Sequence, residues 1–199
     1  MGQGEDSEQG RDQAGADTSI ACAAREVEEF VASAGWDQGP QLFALVATEE
    51  LLARQPDLAG HLDPDSSLTP IAQDSLPESD LADALARIAW PDAVRGCALA
   101  QEIIVLPPDA EGDLTDQGAR TTTSAADTER LRRAAANHPR RTEARLVASV
   151  SREGARACVM RLRGQVEDGD AESDEPVDEV IEHPGLAPNL LDALTATFV

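Results

Sequence analysis

Apolar residues Ile20, Ala23, Val27, Phe30, Val31 and Ala34 recur mostly at spacings of three and four. That period predicts a helix with Ser19 as its cap, ending at Gly35. The run Gln41–Ala47 (QLFALVA) is apolar and short, as a buried strand should be. It leads into a short helix from Thr48 to Arg54, whose Glu49 and Glu50 carry the charge favoured at a helix N-terminus. Another helix is expected to begin near Ser79 and to bury Leu81, Leu85 and Ile88. It must stop by Trp90, because Pro91 follows. Cys97–Leu106 reads as a second strand and Ser124–Asn137 as a third long helix. Leu186, Leu190, Leu191, Leu194 and Phe198 form the stripe of a last helix, with Asn189 near its start.

Thr142–Ser151 and Ala155–Arg163 flank Arg152-Glu153-Gly154, a three-residue hairpin loop with Gly154 at the left-handed position. Loop length sets register. Leu146 then opposes Met160 and Ala148 opposes Cys158 on one face. The other face pairs Glu143 with Arg163, Arg145 with Arg161 and Val147 with Val159. One face is mainly apolar and the other partly cationic, as a half-buried sheet would be. The expected class is α+β: a mostly antiparallel sheet of about four strands, with helices covering its apolar face, in a single domain.

Composition sharpens the boundaries. Leu, Ile, Val and Phe supply 41 of 199 residues and Ala another 34. Acidic residues number 38 against 16 cations, a net charge of −22. This is near the composition of disordered chains. The unfavourable part is concentrated in residues 1–18, read as a disordered acidic tail, and in polar loops at 107–123 and 165–179. Residues 19–199 form the expected domain. No apolar stretch approaches the roughly 18 residues of a membrane span, and the acidic start is unlike a secretory signal. Cys22, Cys97 and Cys158 fit no disulfide or metal spacing and read as reduced core residues of a cytoplasmic protein.

Charge is segregated along the chain. Arg130–Arg163 holds ten Arg and two Glu, whereas Glu167–Glu182 holds nine acids and no cation. Either the acidic run 167–182 screens and neutralises the basic face, or that face, with Arg140, Arg141, Arg145, Arg161 and Arg163, receives an anionic ligand. The overall charge argues against duplex nucleic acid. Five aromatic residues in the chain, none on the hairpin strands, argue against stacking of single strands.

Candidate chemistry is sparse. There is no phosphate-binding glycine loop, no lysine, no nucleophile elbow and no metal-like histidine spacing, so no metal or cofactor is expected. His138 and His183 each precede proline and read as turn residues. Trp90-Pro91-Asp92 turns the chain out of a helix, and Trp36 stands in the corresponding place after the first helix. Both Trp are read as plugs at the core edge. If they lined one groove with Asp92, that groove would be a pocket.

Four stretches, GWDQGPQLFALVAT (35–48), IAWPDAVRGCALAQE (88–102), HPRRTEARLVASVSREGARACVMRLRG (138–164) and LAPNLLDALTATF (186–198), resemble a family of uncharacterised proteins from high-GC actinobacteria. The resemblance implies GC-rich coding, which accounts for the absent lysine, and a bacterial cytoplasmic setting. It carries over no functional residue. The expectation is a non-enzymatic binding or adaptor protein, using a sheet edge to meet a protein partner or a second copy. The alternative is an enzyme acting on an anionic small molecule through Asp92, His138, Arg140 and Arg141.

Overall fold

The computed structural model describes residues 5–74, 76, 81–106, 133, 135–164 and 178–198. The elements are α1 (Glu5–Ser33), β1 (Gln41–Ala47), α2 (Thr48–Arg54), a 3-10 turn (Pro56–Gly60), β2 (Leu68–Ala72), α3 (Leu81–Leu85), β3 (Val94–Val105), β4 (Thr142–Ser151), β5 (Arg156–Leu162), β6 (Glu179–Glu182) and α4 (Pro188–Ala196). The strands form one antiparallel sheet in the order β2-β1-β3-β4-β5-β6. The sheet thus has six strands where about four were expected. β2 was missed because Pro70 interrupts its pattern, and proline is tolerated only on an edge strand, where β2 lies. β6 (EVIE) was absorbed into the acidic run that precedes it.

Two compact units are distinguished. The first comprises Met1–Gln101, Leu146–Met160 and Val180–Val199, the second Glu102–Arg145 and Arg161–Glu179.

In the first unit, α1 lays Ile20, Ala23, Ala24, Val27 and Val31 on a sheet face made by Phe43, Leu45, Ala98, Ala100, Val147 and Val159. These are alternate positions of four strands, as side chains on one face of a sheet must be. One sequence expectation for this helix is corrected. It runs back to Glu5 rather than starting at Ser19, whose Oγ donates to the Gly15 carbonyl from within it at 3.0 Å. The chain has no proline before Pro40 to stop it. Phe30 is 60% exposed, because Ile20, Ala23, Val27 and Val31 already complete the stripe.

The opposite sheet face is also covered. Leu191 and Leu194 of α4 are fully buried, the buried Cys97 lies beside the Thr197 hydroxyl at the helix end, and His183 donates its N–H to the Cys158 carbonyl. Every residue from Ala144 to Ser151 in β4 is buried. The half-buried sheet of the sequence reading is therefore corrected to one with helices on both faces of this unit. Alternation of Val147 with Leu146 and Ala148, all apolar, is the signature of a strand buried on both sides.

The β4–β5 register agrees with expectation at both ends. Ser151 N–H donates to the Ala155 carbonyl at 2.9 Å, and Arg163 N–H to that of Glu143 at 2.8 Å. Gly154 has φ +96°. α3 covers only Leu81–Leu85, with looser turns to Ile88, and buries Leu85 while Leu81 and Ile88 are half-buried. The expected helix 124–137 and loops 107–123 and 165–179 lie outside the described residues, apart from helical positions 133, 135 and 136, a turn at 137, and positions 178 and 179.

At Gly96, β3 leaves no room for a side chain beside β4. A Cβ there would stand 2.6 Å from the Val150 carbonyl oxygen of β4, and β1 is irregular between Leu45 and Val46 opposite it. Gly96→Ala is expected to destabilise the fold by about 1–3 kcal/mol. Gly60→Ala, with open space around it, should stay within about 0.5 kcal/mol of the parent. Urea unfolding followed by circular dichroism measures both.

Candidate functional site

The second unit carries the Arg-rich strand ends. Arg163 sits opposite Glu143 as the register requires, and its guanidinium donates to the Glu143 carboxylate at 2.6 Å. Arg145, 1% exposed, faces the Glu102 carboxylate at 3.4 Å. Arg161 lies 4.0 Å from Asp178, whose other oxygen accepts the Gly164 N–H at 2.9 Å. Pro139, Arg141, Glu143, Arg163 and Gly164 line a depression of about 260 Å³. Each guanidinium of this face that came from the hairpin strands thus meets a carboxylate. Asp178, beside β6, belongs to the acidic run 167–182 that the sequence set against this face, whereas Glu102 comes from β3 and lies outside both charged segments.

The remaining candidates fall elsewhere. Arg140 donates its N–H to His138 Nδ1 at 3.1 Å in the turn ahead of β4, and His183 Nδ1 accepts from Gly185 at 3.0 Å. Both histidines thus brace proline-containing turns. Trp90 stacks on Phe198 with centroids 6.2 Å apart, and its indole N–H donates to Thr197 Oγ1 at 2.9 Å. It closes the edge of the first unit's core. Arg152 of the hairpin loop lies over Phe198 at 4.9 Å and donates to the Pro91 and Val94 carbonyls, clamping the turn. Asp92 is exposed on that turn. Neither Trp nor Asp92 lines the depression or the groove described next. The only member of the proposed loop quartet in the depression's lining is Arg141.

A different feature was not foreseen. In the first unit, α1, α2, the 3-10 turn and edge strand β2 enclose an apolar groove of about 540 Å³. Its floor includes Phe43, and its walls Val27, Phe30, Leu51, Leu58 and Leu62, with Pro70 and Ile71 along the strand. Phe30 stands edge-on to the buried Phe43, centroids 6.0 Å apart, yet is itself 60% exposed. Ile71 is 38% exposed. The one signal in the sequence was Phe30, an aromatic residue beside a helical stripe complete without it.

Two ion pairs brace this unit. Arg25 of α1 holds Glu182 of β6, and Arg95 of β3 holds Glu50 of α2. Each arginine keeps its partner's carboxyl below the usual carboxylate range through direct hydrogen bonds. Glu26, at the groove, shifts the other way. Partial burial, then the charges of Asp63 and Glu29, push its carboxyl up.

The thiols offer no paired chemistry. All three are free, and burial pushes Cys97 up to about 12 and raises Cys158, whereas Cys22 is exposed. Among the described residues no group of three His, Cys, Asp or Glu is arranged to hold a metal ion, and no helix is long and apolar enough to cross a membrane.

Fold and groove together define a protein of mixed helix and strand with one antiparallel sheet and an open apolar surface beside its first edge. The sequence pattern of the PPA1309-like protein family matches residues 20–199, and the chain belongs to that family. No curated protein and no solved structure matches it.

Two outcomes check this description. Arg145→Ala, which strands Glu102 beside a buried void, should cost about 3–5 kcal/mol in urea unfolding. Arg163→Ala, at a half-exposed pair, should cost below about 1 kcal/mol. With a thiol reagent at neutral pH, the native protein should label rapidly at Cys22 alone, and at all three cysteines once unfolded.

Proposed function

We propose that the protein is a non-enzymatic binding or adaptor protein that takes a protein partner in the groove beside β2. The observation that carries this reading is Phe30. A folded chain with few large apolar residues leaves an aromatic ring 60% exposed at the mouth of a cavity lined by Val27, Leu51, Leu58 and Leu62. Exposed apolar surface contiguous with a cavity marks interaction sites, and buried aromatic anchors dominate the energy of protein interfaces.

The enzymatic alternative has less support. Of Asp92, His138, Arg140 and Arg141, only Arg141 borders the charged depression, and Glu143 already engages Arg163 there. An anionic ligand at Arg145, Arg161 or Arg163 would compete with the carboxylates of Glu102, Asp178 and Glu143. Three free thiols and the lysine-free, alanine-rich composition fit the cytoplasm of a high-GC actinobacterium.

A photo-crosslinking amino acid placed at Phe30 or Ile71, in cells of the native host, tests the reading. A discrete adduct is expected at both positions and should be lost with Leu58→Glu. Absence of an adduct, or the same adduct from a probe at Asp192 on α4, would overturn it.

A further inference from the structure

Two physical features of the groove narrow the partner. The first concerns how β2 can be used. Gln73 N–H donates to the Leu42 carbonyl and Thr48 N–H to that of Ser67, so odd-numbered residues of this segment turn their main-chain groups toward β1. Pro70, paired with Leu45, therefore turns its main chain to the free edge, where it has no N–H to give. An added strand would lose a ladder bond at the centre of a five-residue edge. Proline at such a place is a device against edge pairing. The apolar groove offers the other common mode, a helix laid into it by residues spaced three and four apart.

The second feature is charge. Glu26 lies on the groove, one helical turn from Phe30, and the charged neighbours that act on it are Asp63 and Glu29. Asp63 follows Leu62, which lines the cavity, and Asp57 is exposed on the 3-10 turn that supplies Leu58. Acids stand on both walls of an apolar slot. A second copy of the chain would bring the same acids against these, within a protein of net charge −22. Like charges juxtaposed across an interface exclude that partner, and opposite charges select one.

We infer that the groove docks an amphipathic helix of a partner protein, with apolar side chains seated against Phe30, Leu58 and Leu62, and Arg or Lys beside Glu26, Glu29 and Asp63. This rests on the binding reading above and adds to it the form and charge of the occupant. Phe30 acts as the anchor and the acids act as the selector.

Selection from a randomised peptide library displayed on phage tests it, with the full chain as bait and Phe30→Glu as counter-bait. Leu58→Glu serves as a second counter-bait, and circular dichroism verifies the fold of each. Expected are enriched peptides with apolar residues at i, i+3 or i+4, and i+7, flanked by Arg or Lys. By fluorescence anisotropy they should bind about tenfold more weakly to Phe30→Ala. They should bind about threefold more weakly to the Glu26→Gln, Glu29→Gln double variant, with the difference shrinking at high salt.

Enriched helical peptides without an excess of basic residues would overturn the charge selection and leave the binding reading standing. Enriched peptides of strand-like alternation would overturn the helical occupant. A concentration-dependent dimer abolished by Phe30→Glu would put a second copy in the groove and overturn the inference. Failure of any peptide to enrich over both counter-baits would overturn the inference and the binding reading together.

Discussion

A chain with only a fifth of its residues drawn from Leu, Ile, Val and Phe must build its core from short side chains, and short side chains bury area only where backbones come close. The rest of the structure follows from that constraint. Nearly half of the residues packing α1 against the sheet are alanine: Ala23 and Ala24 from the helix, Ala98, Ala100 and Ala157 from the strands, and Ala155 just before β5. Gly96 continues the trend to its limit, since one further carbon would meet the Val150 carbonyl oxygen. Close approach also explains why helices cover both faces of the first unit. A face this rich in alanine buries limited apolar area, and Leu191 and Leu194 of α4 add a second buried layer. Thr48 and Thr69 enter this layered arrangement as a pair, their hydroxyls meeting at 2.9 Å between the start of α2 and β2, whereas the Ser149 hydroxyl on β4 is buried without a hydrogen-bond partner among the described residues.

Where local pattern and tertiary environment agreed, the elements were legible. β1, α2 and β4 have the bounds read from the sequence, and the three-residue loop at Arg152-Glu153-Gly154 specified a register that holds at both ends of the hairpin. What failed was governed by context. β2 carries a proline that only its edge position permits. β6 has two acids in four residues, so its strand character comes from the Arg25–Glu182 pair and its neighbour β5 rather than from its own pattern. The two-sided burial of β4 was hidden because a strand with short apolar residues on both faces resembles one with a weak outer face.

The candidate sites show the same division more sharply. The cationic segment was visible as ten arginines between 130 and 163, and its neutralisation was legible only in part, since the acidic run 167–182 supplies Asp178 but not Glu102. The carboxylate facing Arg145 lies 43 positions away on β3, and the one facing Arg161 stands beside β6. Linear charge counts measure what a segment brings, whereas a sheet determines what stands opposite. The groove was less legible still, because its lining comes from two helices, a 3-10 turn and two strands, each individually unremarkable. Only Phe30 departs from its own helix, and only in exposure.

The pairing of arginines has a consequence for the surface as a whole. Arg25, Arg95, Arg145, Arg156, Arg161 and Arg163 each face a carboxylate. With 38 acids against 16 arginines, every such pair leaves the surplus charge acidic. The potential felt by an approaching molecule is then set by unpaired carboxylates, and at physiological salt it reaches only about 8 Å from the surface. Such a field steers cationic partners broadly but cannot by itself fix one in place. Position must come from a surface that desolvates, and the apolar groove offers one that Glu26 lines, with Glu29 and Asp63 near enough to act on its carboxylate. The acidity that a bulk count treats as a solubility device thereby acquires a direction. On the proposed reading it disfavours self-association through the groove and favours a basic partner there.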